Sequence, residues 1–198
     1  VEIIHENDKY SFDSIQAITS DADGYIWFST KNGLFRYNYT APENQNLKKF
    51  DVLKKKNLHI VSLFEDDWGF LWIGTFDDGL YRLNTLNGEV MSFGEKSGLA
   101  NANVISISGH DNKLWLATLG GIISCDIIED TKIPGKLYYK FSRPDDFSEP
   151  GEVFVYNVFI DSKNRVWFGT DGKGLSMFEN GKFKSFSNFD NGRGKVVY

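Results

Sequence analysis

Four tryptophan-led segments recur along the chain: WFSTKNGLFRYN from Trp27, WIGTFDDGLYRLN from Trp72, WLATLGGIISCD from Trp115 and WFGTDGKGLSMF from Trp167. The tryptophans are spaced 45, 43 and 52 residues apart. Self-similarity at such a period constrains the fold more than composition does, because one short unit cannot bury its apolar face alone and must stack on copies of itself. Three positions before each Trp stand Gly24, Gly69, Asn112 and Asn164. Gly and Asn tolerate a left-handed backbone, so this slot is expected to be a tight turn with positive φ. Three positions earlier come Asp21, Asp66 and Asp161, with Gly109 as the exception. An Asp opening a turn can accept a hydrogen bond from its own backbone two residues on. DADG, DDWG and DSKN therefore read as hairpin turns.

An extended apolar run precedes each turn (SIQAIT, HIVSLF, NVISIS, VYNVFI), with apolar residues on both faces, as in a strand covered on both sides. The second strand carries the Trp and, two residues on, a small residue: Ser29, Gly74, Ala117 or Gly169. A small residue there predicts a close approach of neighbouring backbone. Gly33-Leu34, Gly79-Leu80, Gly121-Ile122 and Gly174-Leu175 open a third strand, and LKKFDV, EVMSF, KLYYKF and KFKSF supply a fourth. Each unit is then a four-stranded antiparallel meander of roughly 40–50 residues, the size of a propeller blade. The expected fold is an all-β propeller with blades at about 12–51, 58–93, 102–141 and 153–186; residues 194–198 would start a further blade and residues 1–4 would form a closing strand. The repeat tryptophans should pack one blade against the next.

The pattern D-x-x-G-x-x-W-[IF]-G-T-x-x-G-L resembles the two-component regulator propeller repeat. DDWGFLWIGTFDDGLYRLN is a near-consensus copy, DADGYIWFSTKNGLFRYN and DSKNRVWFGTDGKGLSMF match well, and GHDNKLWLATLGGIISCD departs by losing the turn Asp. The resemblance covers essentially the whole chain. It implies the extracytoplasmic sensor region of a hybrid two-component histidine kinase, placed in the periplasm, that detects an oligosaccharide and regulates polysaccharide use. It also implies the rest of a sensor protein as partner, with a homodimer as a further possibility. Family sensors resemble pairs of seven-bladed propellers followed by a β-sandwich, a membrane span and a kinase, so this chain reads as an amino-terminal part of a seven-bladed ring. A closed four-bladed ring is the alternative.

The net charge of −5 gives no basic footprint for nucleic acid. The single cysteine, Cys125, allows no internal disulfide and reads as a buried strand residue. No run approaches the roughly 18 apolar residues of a membrane span, so no membrane contact is expected of this segment.

No catalytic constellation is legible. His5, His59 and His110 share no metal-ligand spacing, no phosphate-binding glycine loop or other cofactor motif occurs, and no nucleophile elbow is present. The chain is expected to lack enzymatic activity, catalytic residues, a metal site and a cofactor. The acids at 66–67 and 77–78 read as turn residues. Asp67, Gly69 and Trp72 fall in the register of a sialidase Asp-box, but Ala22 and Ser162 occupy the Asp slot in two other copies. A binding face is the better expectation, because propeller turns and inter-blade connections gather at one rim. The candidate ligand-binding residues there are Phe76, Asp77, Asp78, Asp171 and Lys173 from the turns, with His59, Asn103, Arg143 and Tyr156 from the connections. Aromatic faces beside carboxylate, amide and guanidinium groups suit a sugar. The lysine run at 47–57 reads as an edge strand guarded against aggregation. Trp68, inside a turn, either packs on the neighbouring blade or forms a contact patch. The second functional expectation is a non-catalytic scaffold for protein–protein interaction; a propeller hydrolase or lyase would need convergent acids.

Overall fold

The computed structural model describes residues 14–42, 45–50, 58–144, 153–172 and 174–186. The strands expected at 1–4 and 194–198 lie outside them. Among the described residues sixteen strands form four sheets, each an antiparallel meander in chain order. The first blade holds β1 (Ile15–Ser20), β2 (Ile26–Thr30), β3 (Gly33–Tyr37) and β4 (Leu47–Phe50), and the second β5 (Ile60–Glu65), β6 (Phe70–Thr75), β7 (Leu80–Asn84) and β8 (Val90–Phe93). The third holds β9 (Val104–His110), β10 (Lys113–Thr118), β11 (Gly121–Glu129) and β12 (Leu137–Ser142). The fourth holds β13 (Val155–Ile160), β14 (Val166–Thr170), β15 (Gly174–Glu179) and β16 (Lys182–Phe186). The first strands sit side by side, β1 on β5, β5 on β9 and β9 on β13, as the inner strands of a propeller do.

The apolar residues form three clusters, each spanning a blade boundary. Trp27 and Leu34 of blade one join Ile60, Leu71, Ile73 and Leu83 of blade two. Trp72, Leu80 and Phe93 join Val104, Leu114, Leu116 and Ile123 of blade three, and Trp115, Ala117 and Ile122 join Val155, Val158, Val166 and Phe168 of blade four. The first three repeat tryptophans are thus inter-blade core. Trp167 is half-buried and stacks on Phe186 at 5.7 Å. Cys125 is buried, and burial with Asp126 nearby pushes its thiol up to about 12.

The small residue after each Trp has a specific cause. It pairs across the sheet with the third residue of the inner strand: Ser29 with Ala17, Gly74 with Ser62, Ala117 with Ser106, Gly169 with Asn157. One member of the pair reaches the next blade. Ser29 Oγ donates to the Ile60 carbonyl (3.1 Å) and accepts from Ala17 N (3.1 Å). In blade two the hydroxyl comes from the other strand, and Ser62 Oγ donates to the Val104 carbonyl (3.1 Å). Ser106 Oγ accepts from Val158 N at 3.3 Å and donates to Asn157 Oδ1 at 3.4 Å. A Cβ on Gly74 would lie 2.1 Å from Ser62 Oγ and 2.6 Å from the Val104 carbonyl oxygen.

The turn aspartates do more than shape turns. Asp21 Oδ2 accepts from Trp27 Nε1 (2.8 Å), Asp66 Oδ2 from Trp72 Nε1 (2.7 Å) and Asp161 Oδ2 from Trp167 Nε1 (2.8 Å), while each Oδ1 accepts from turn amides. One carboxylate thereby sets both the hairpin and the orientation of the tryptophan. Blade three differs. A Cβ on Gly109 would meet Leu114 Cδ2 at 2.6 Å and Phe64 Cε1 at 2.8 Å, so the Phe64 ring of blade two excludes a side chain there. Its turn is also tighter than expected. Gly24, Gly69 and Asn164 have φ of 84°, 75° and 58°, but in blade three the left-handed residue is Asp111 (φ 53°), not Asn112. Of the two alternatives for Trp68 the structure shows the contact with the neighbouring blade: its Nε1 donates to Asn112 Oδ1 of blade three (3.1 Å), and the ring stays partly exposed. β4 is the outer strand of blade one, as expected for the lysine run, whose residues 51–57 lie outside the described set.

This packing can be tested by exchange. Gly74→Ser alone should lose about 1–3 kcal/mol by overpacking, and Ser62→Ala alone about 1 kcal/mol through its lost hydroxyl. The double exchange recreates the Ala17–Ser29 pairing and removes the Ser62 Oγ contact, though not the one with the Val104 carbonyl, so it should recover part of the loss in urea unfolding; simple additivity would disprove the exchange. A second test concerns pH. Arg165 and then Trp167 hold the Asp161 carboxyl well below the usual carboxylate range, whereas burial raises that of Asp66 against the Trp72, Phe70 and Trp68 N–H groups. A depressed folded pKa gives stability that is present above the ordinary 3.8 and lost as pH falls through the folded value. A raised one has the opposite sign, its contribution falling as pH climbs past 3.8. Arg165→Met should move the Asp161 carboxyl resonance titration toward higher pH and leave that of Asp66 in place.

Candidate ligand-binding face

The rim is built by a threonine three residues after each Trp. Thr75 Oγ1 donates to the Gly79 carbonyl (2.7 Å), Thr118 Oγ1 to that of Gly121 (2.7 Å) and Thr170 Oγ1 to that of Gly174 (2.8 Å). The same oxygens accept from loop amides: Asn32 N on Thr30 at 3.0 Å, Asp78 N on Thr75 at 3.2 Å, Gly120 N on Thr118 at 3.1 Å. These threonines close the loops on which candidate residues stand. The repeat pattern carries this Thr in all four copies, but spacing alone did not show that it closes the loop.

The structure brings the candidates together in two groups. At blade two the His59 and Phe76 rings are 5.8 Å apart and Phe76 N donates to the His59 carbonyl (2.9 Å). Asp77 has φ 73°, and its amide donates to Asn103 Oδ1 at 3.2 Å. The Asn103 amide in turn donates to Asn101 Oδ1 (2.8 Å), so the connection to blade three is tied to this loop. Phe76 is 39% exposed, and its ring with the Asp77 carboxylate and Asn103 amide offers an aromatic face beside polar groups. Asp78 differs from its neighbour, for its Oδ2 accepts from Tyr81 Oη at 2.5 Å, and burial with this bond raises the tyrosine pKa. At blade four Tyr156 Oη reaches Asp171 Oδ2 at 3.5 Å, and Asp171 N donates to the Phe154 carbonyl (2.8 Å). Tyr156 occupies the bulge of β13 between Val155 and Asn157 and is exposed; bulges re-aim side chains in this way. Arg143 joins neither group. It follows β12, the outer strand of blade three, and its Nη1 is buried without a hydrogen-bond partner among the described residues. Lys173 lies outside the described residues.

The paired acids part company. Asp66 points inward to Trp72, whereas Asp67 lies outward, its carboxylate within 4.8 Å of ligand atoms of His110 and Asp111 from the next blade. Sequence spacing did not reveal that grouping because it crosses a blade boundary. All three residues are exposed, and such surface groupings are common without an ion. Glu65, whose pKa burial raises, accepts from Ala22 N of blade one (2.6 Å) and so ties two blades. No helix of the described residues is long and apolar enough to cross a membrane.

The family described as two component regulator propeller matches residues 9–32, 55–77 and 148–172. The latter parts of these segments hold first strand, turn and second strand in blades one, two and four, and the blade whose turn Asp is Gly109 is not among them. Histidine kinase P4 of Formosa agariphila is 29% identical over 181 residues, which is 85% of this chain and 12% of the kinase. The chain thus spans about an eighth of that relative's length. Among solved structures, it resembles the extracellular domain of a B. thetaiotaomicron protein assigned to the hybrid two component systems, with TM-score 0.64 and 19% identity over 96% of this chain and 23% of that one. It also resembles virginiamycin B lyase from Staphylococcus aureus, with TM-score 0.62 and 16% identity over 91% of this chain and 57% of the lyase. At these identities the two structures establish the fold alone, an extracellular domain and an enzyme sharing one architecture. Repeat sequence, carboxylate-bound tryptophans and meander blades agree, and three of the four repeats match the two component regulator propeller family.

Proposed function

We propose that this chain is an extracytoplasmic ligand-sensing segment of a hybrid two-component sensor histidine kinase, which detects an oligosaccharide in the periplasm and regulates polysaccharide use. The observation that carries the reading is the repeat itself, together with a histidine kinase that is similar over 85% of the chain. The rim supports the ligand class. Phe76 and Tyr156 are exposed beside Asp77, Asn103 and Asp171, and aromatic faces flanked by carboxylate and amide groups complement the two kinds of surface on a sugar ring. Among the described rim carboxylates Asp78 accepts from Tyr81 and Asp171 lies beside Tyr156, and binding rather than turnover is the proposed activity. A bound glycan would act on the kinase only through a difference in affinity between two arrangements of the sensor.

Asp78 is a poor probe of this face because its loss would strand the Tyr81 hydroxyl. Phe76→Ala with Asp77→Asn is better, since Asn also tolerates the left-handed backbone at 77. In the full sensor this double variant should weaken binding of the activating oligosaccharide about tenfold or more, roughly 1.4 kcal/mol, with an unchanged melting temperature. Equal affinity in calorimetry would remove this rim from the site.

A further inference from the structure

Three of the four blades cover the tryptophan in the same way. Opposite the first residue after the Gly of strand three stands a phenylalanine: Phe50 faces Leu34, Phe93 faces Leu80, Phe186 faces Leu175. Each ring lies over its blade's Trp, with centroids 4.7, 5.5 and 5.7 Å apart. Two residues further along strand three comes a long side chain, Arg36, Arg82 or Met177, paired with the Trp. Blade three breaks both rules. The β11–β12 register pairs Ser124 with Ser142, and its continuation sets Pro144 opposite Ile122. Ser124 stands where the others carry Arg or Met, and Pro144 where they carry Phe.

The missing side chains leave a half-open cleft of about 330 Å³ between blades three and four, with Trp115 in its lining. Blade three contributes Lys113, Ser124, Ser142 and Pro144; blade four contributes Phe178 and Phe183, whose rings are 4.8 Å apart. The Ser124 and Ser142 hydroxyls are 3.0 Å apart. The Lys113 ammonium is 2.8 Å from Asp126, which balances its charge and leaves it further N–H donors. Such a volume is at the lower end for small-molecule sites, about 300–1,000 Å³, and suits one ring rather than a chain.

We infer that the cleft between blades three and four is a subsite for one neutral sugar ring of a glycan. The ring's C–H surface would lie on the aromatic side, its hydroxyls toward Ser124, Ser142 and the Lys113–Asp126 pair. Charge balance at Lys113 disfavours an acidic sugar. This inference rests on the oligosaccharide-sensing reading, and adds to the rim a second site.

The test follows the Trp115 indole N–H by nitrogen-15 NMR, assigned through Trp115→Phe, while the chain is titrated with the methyl glycosides of glucose, galactose, mannose, xylose and arabinose. At least one should shift the Trp115 signal and spare that of Trp27. Ser124→Met with Pro144→Phe refills the cleft as blade four does, and should weaken that binding at least tenfold while the melting temperature holds or rises. Should that variant misfold, Ser142→Ala removes one hydroxyl from an exposed position and should still weaken it severalfold. If a glycoside binds but the response tracks Phe76→Ala/Asp77→Asn and not the refilled cleft, the cleft inference fails and the sensing reading stands. If no glycoside perturbs Trp115 and the full sensor also binds no oligosaccharide, both fail. Silence at Trp115 with oligosaccharide binding by the full sensor overturns the cleft alone.

Discussion

The structure depends on covering both faces of each sheet. A four-stranded meander with apolar residues on both sides is stable only when another sheet lies against it, and here that contact runs from each blade to the next through Trp27, Trp72 and Trp115. The tryptophan must lie in one orientation to do this, and the turn carboxylate supplies it. Burying an indole N–H without an acceptor costs about 1–3 kcal/mol. Asp21, Asp66 and Asp161 avoid that cost and order the hairpin with the same side chain. The D-x5-W spacing is thus a single device in which local turn chemistry and inter-blade packing agree.

Equivalent devices still behave differently where their neighbours differ. Asp66 is buried among aromatic groups, with Arg82 laid over the Phe70 ring at 3.9 Å rather than bonded to the carboxylate. Asp161 is bonded by Arg165, with Nη2 at 2.6 Å. Desolvation governs the first carboxyl and a charge-assisted bond the second, so their pKa values move in opposite directions. A repeat motif therefore does not carry its electrostatics with it from one blade to the next.

The period, the strand order, the turn aspartates and the tight-turn glycines were legible in the sequence because each is a local pattern repeated in register. What was not legible arises between blades. Gly109 reads as a defect in the motif until Phe64 of blade two is seen to occupy its side-chain space. The small residue after Trp predicted a close approach, but not that its hydroxyl partner changes strand between Ser29 and Ser62. Topology placed Phe76 with His59 and Tyr156 with Asp171. It could not separate Asp77, which is exposed and whose amide binds Asn103, from Asp78, which serves Tyr81. Arg143 follows the outer strand of blade three, and its burial there was not legible from its place in the connection.

Repetition also explains why one blade can diverge. In a stack of similar sheets, stability is close to a sum of blade and boundary contributions, so loss of one aromatic cover weakens a single boundary and leaves the others whole. Blade three has shed the turn Asp, the covering Phe and the long strand-three side chain together, yet Trp115 remains buried because Phe168 and Phe178 of blade four pack on it at 5.7 and 4.9 Å. The boundary thus keeps its apolar floor while losing its cover. A ligand seated there would touch two blades at once, and any change in their relative position would alter its affinity. By linkage the ligand then favours one spacing of blades three and four, which is the kind of differential contact a sensor needs to move a signal out of its propeller.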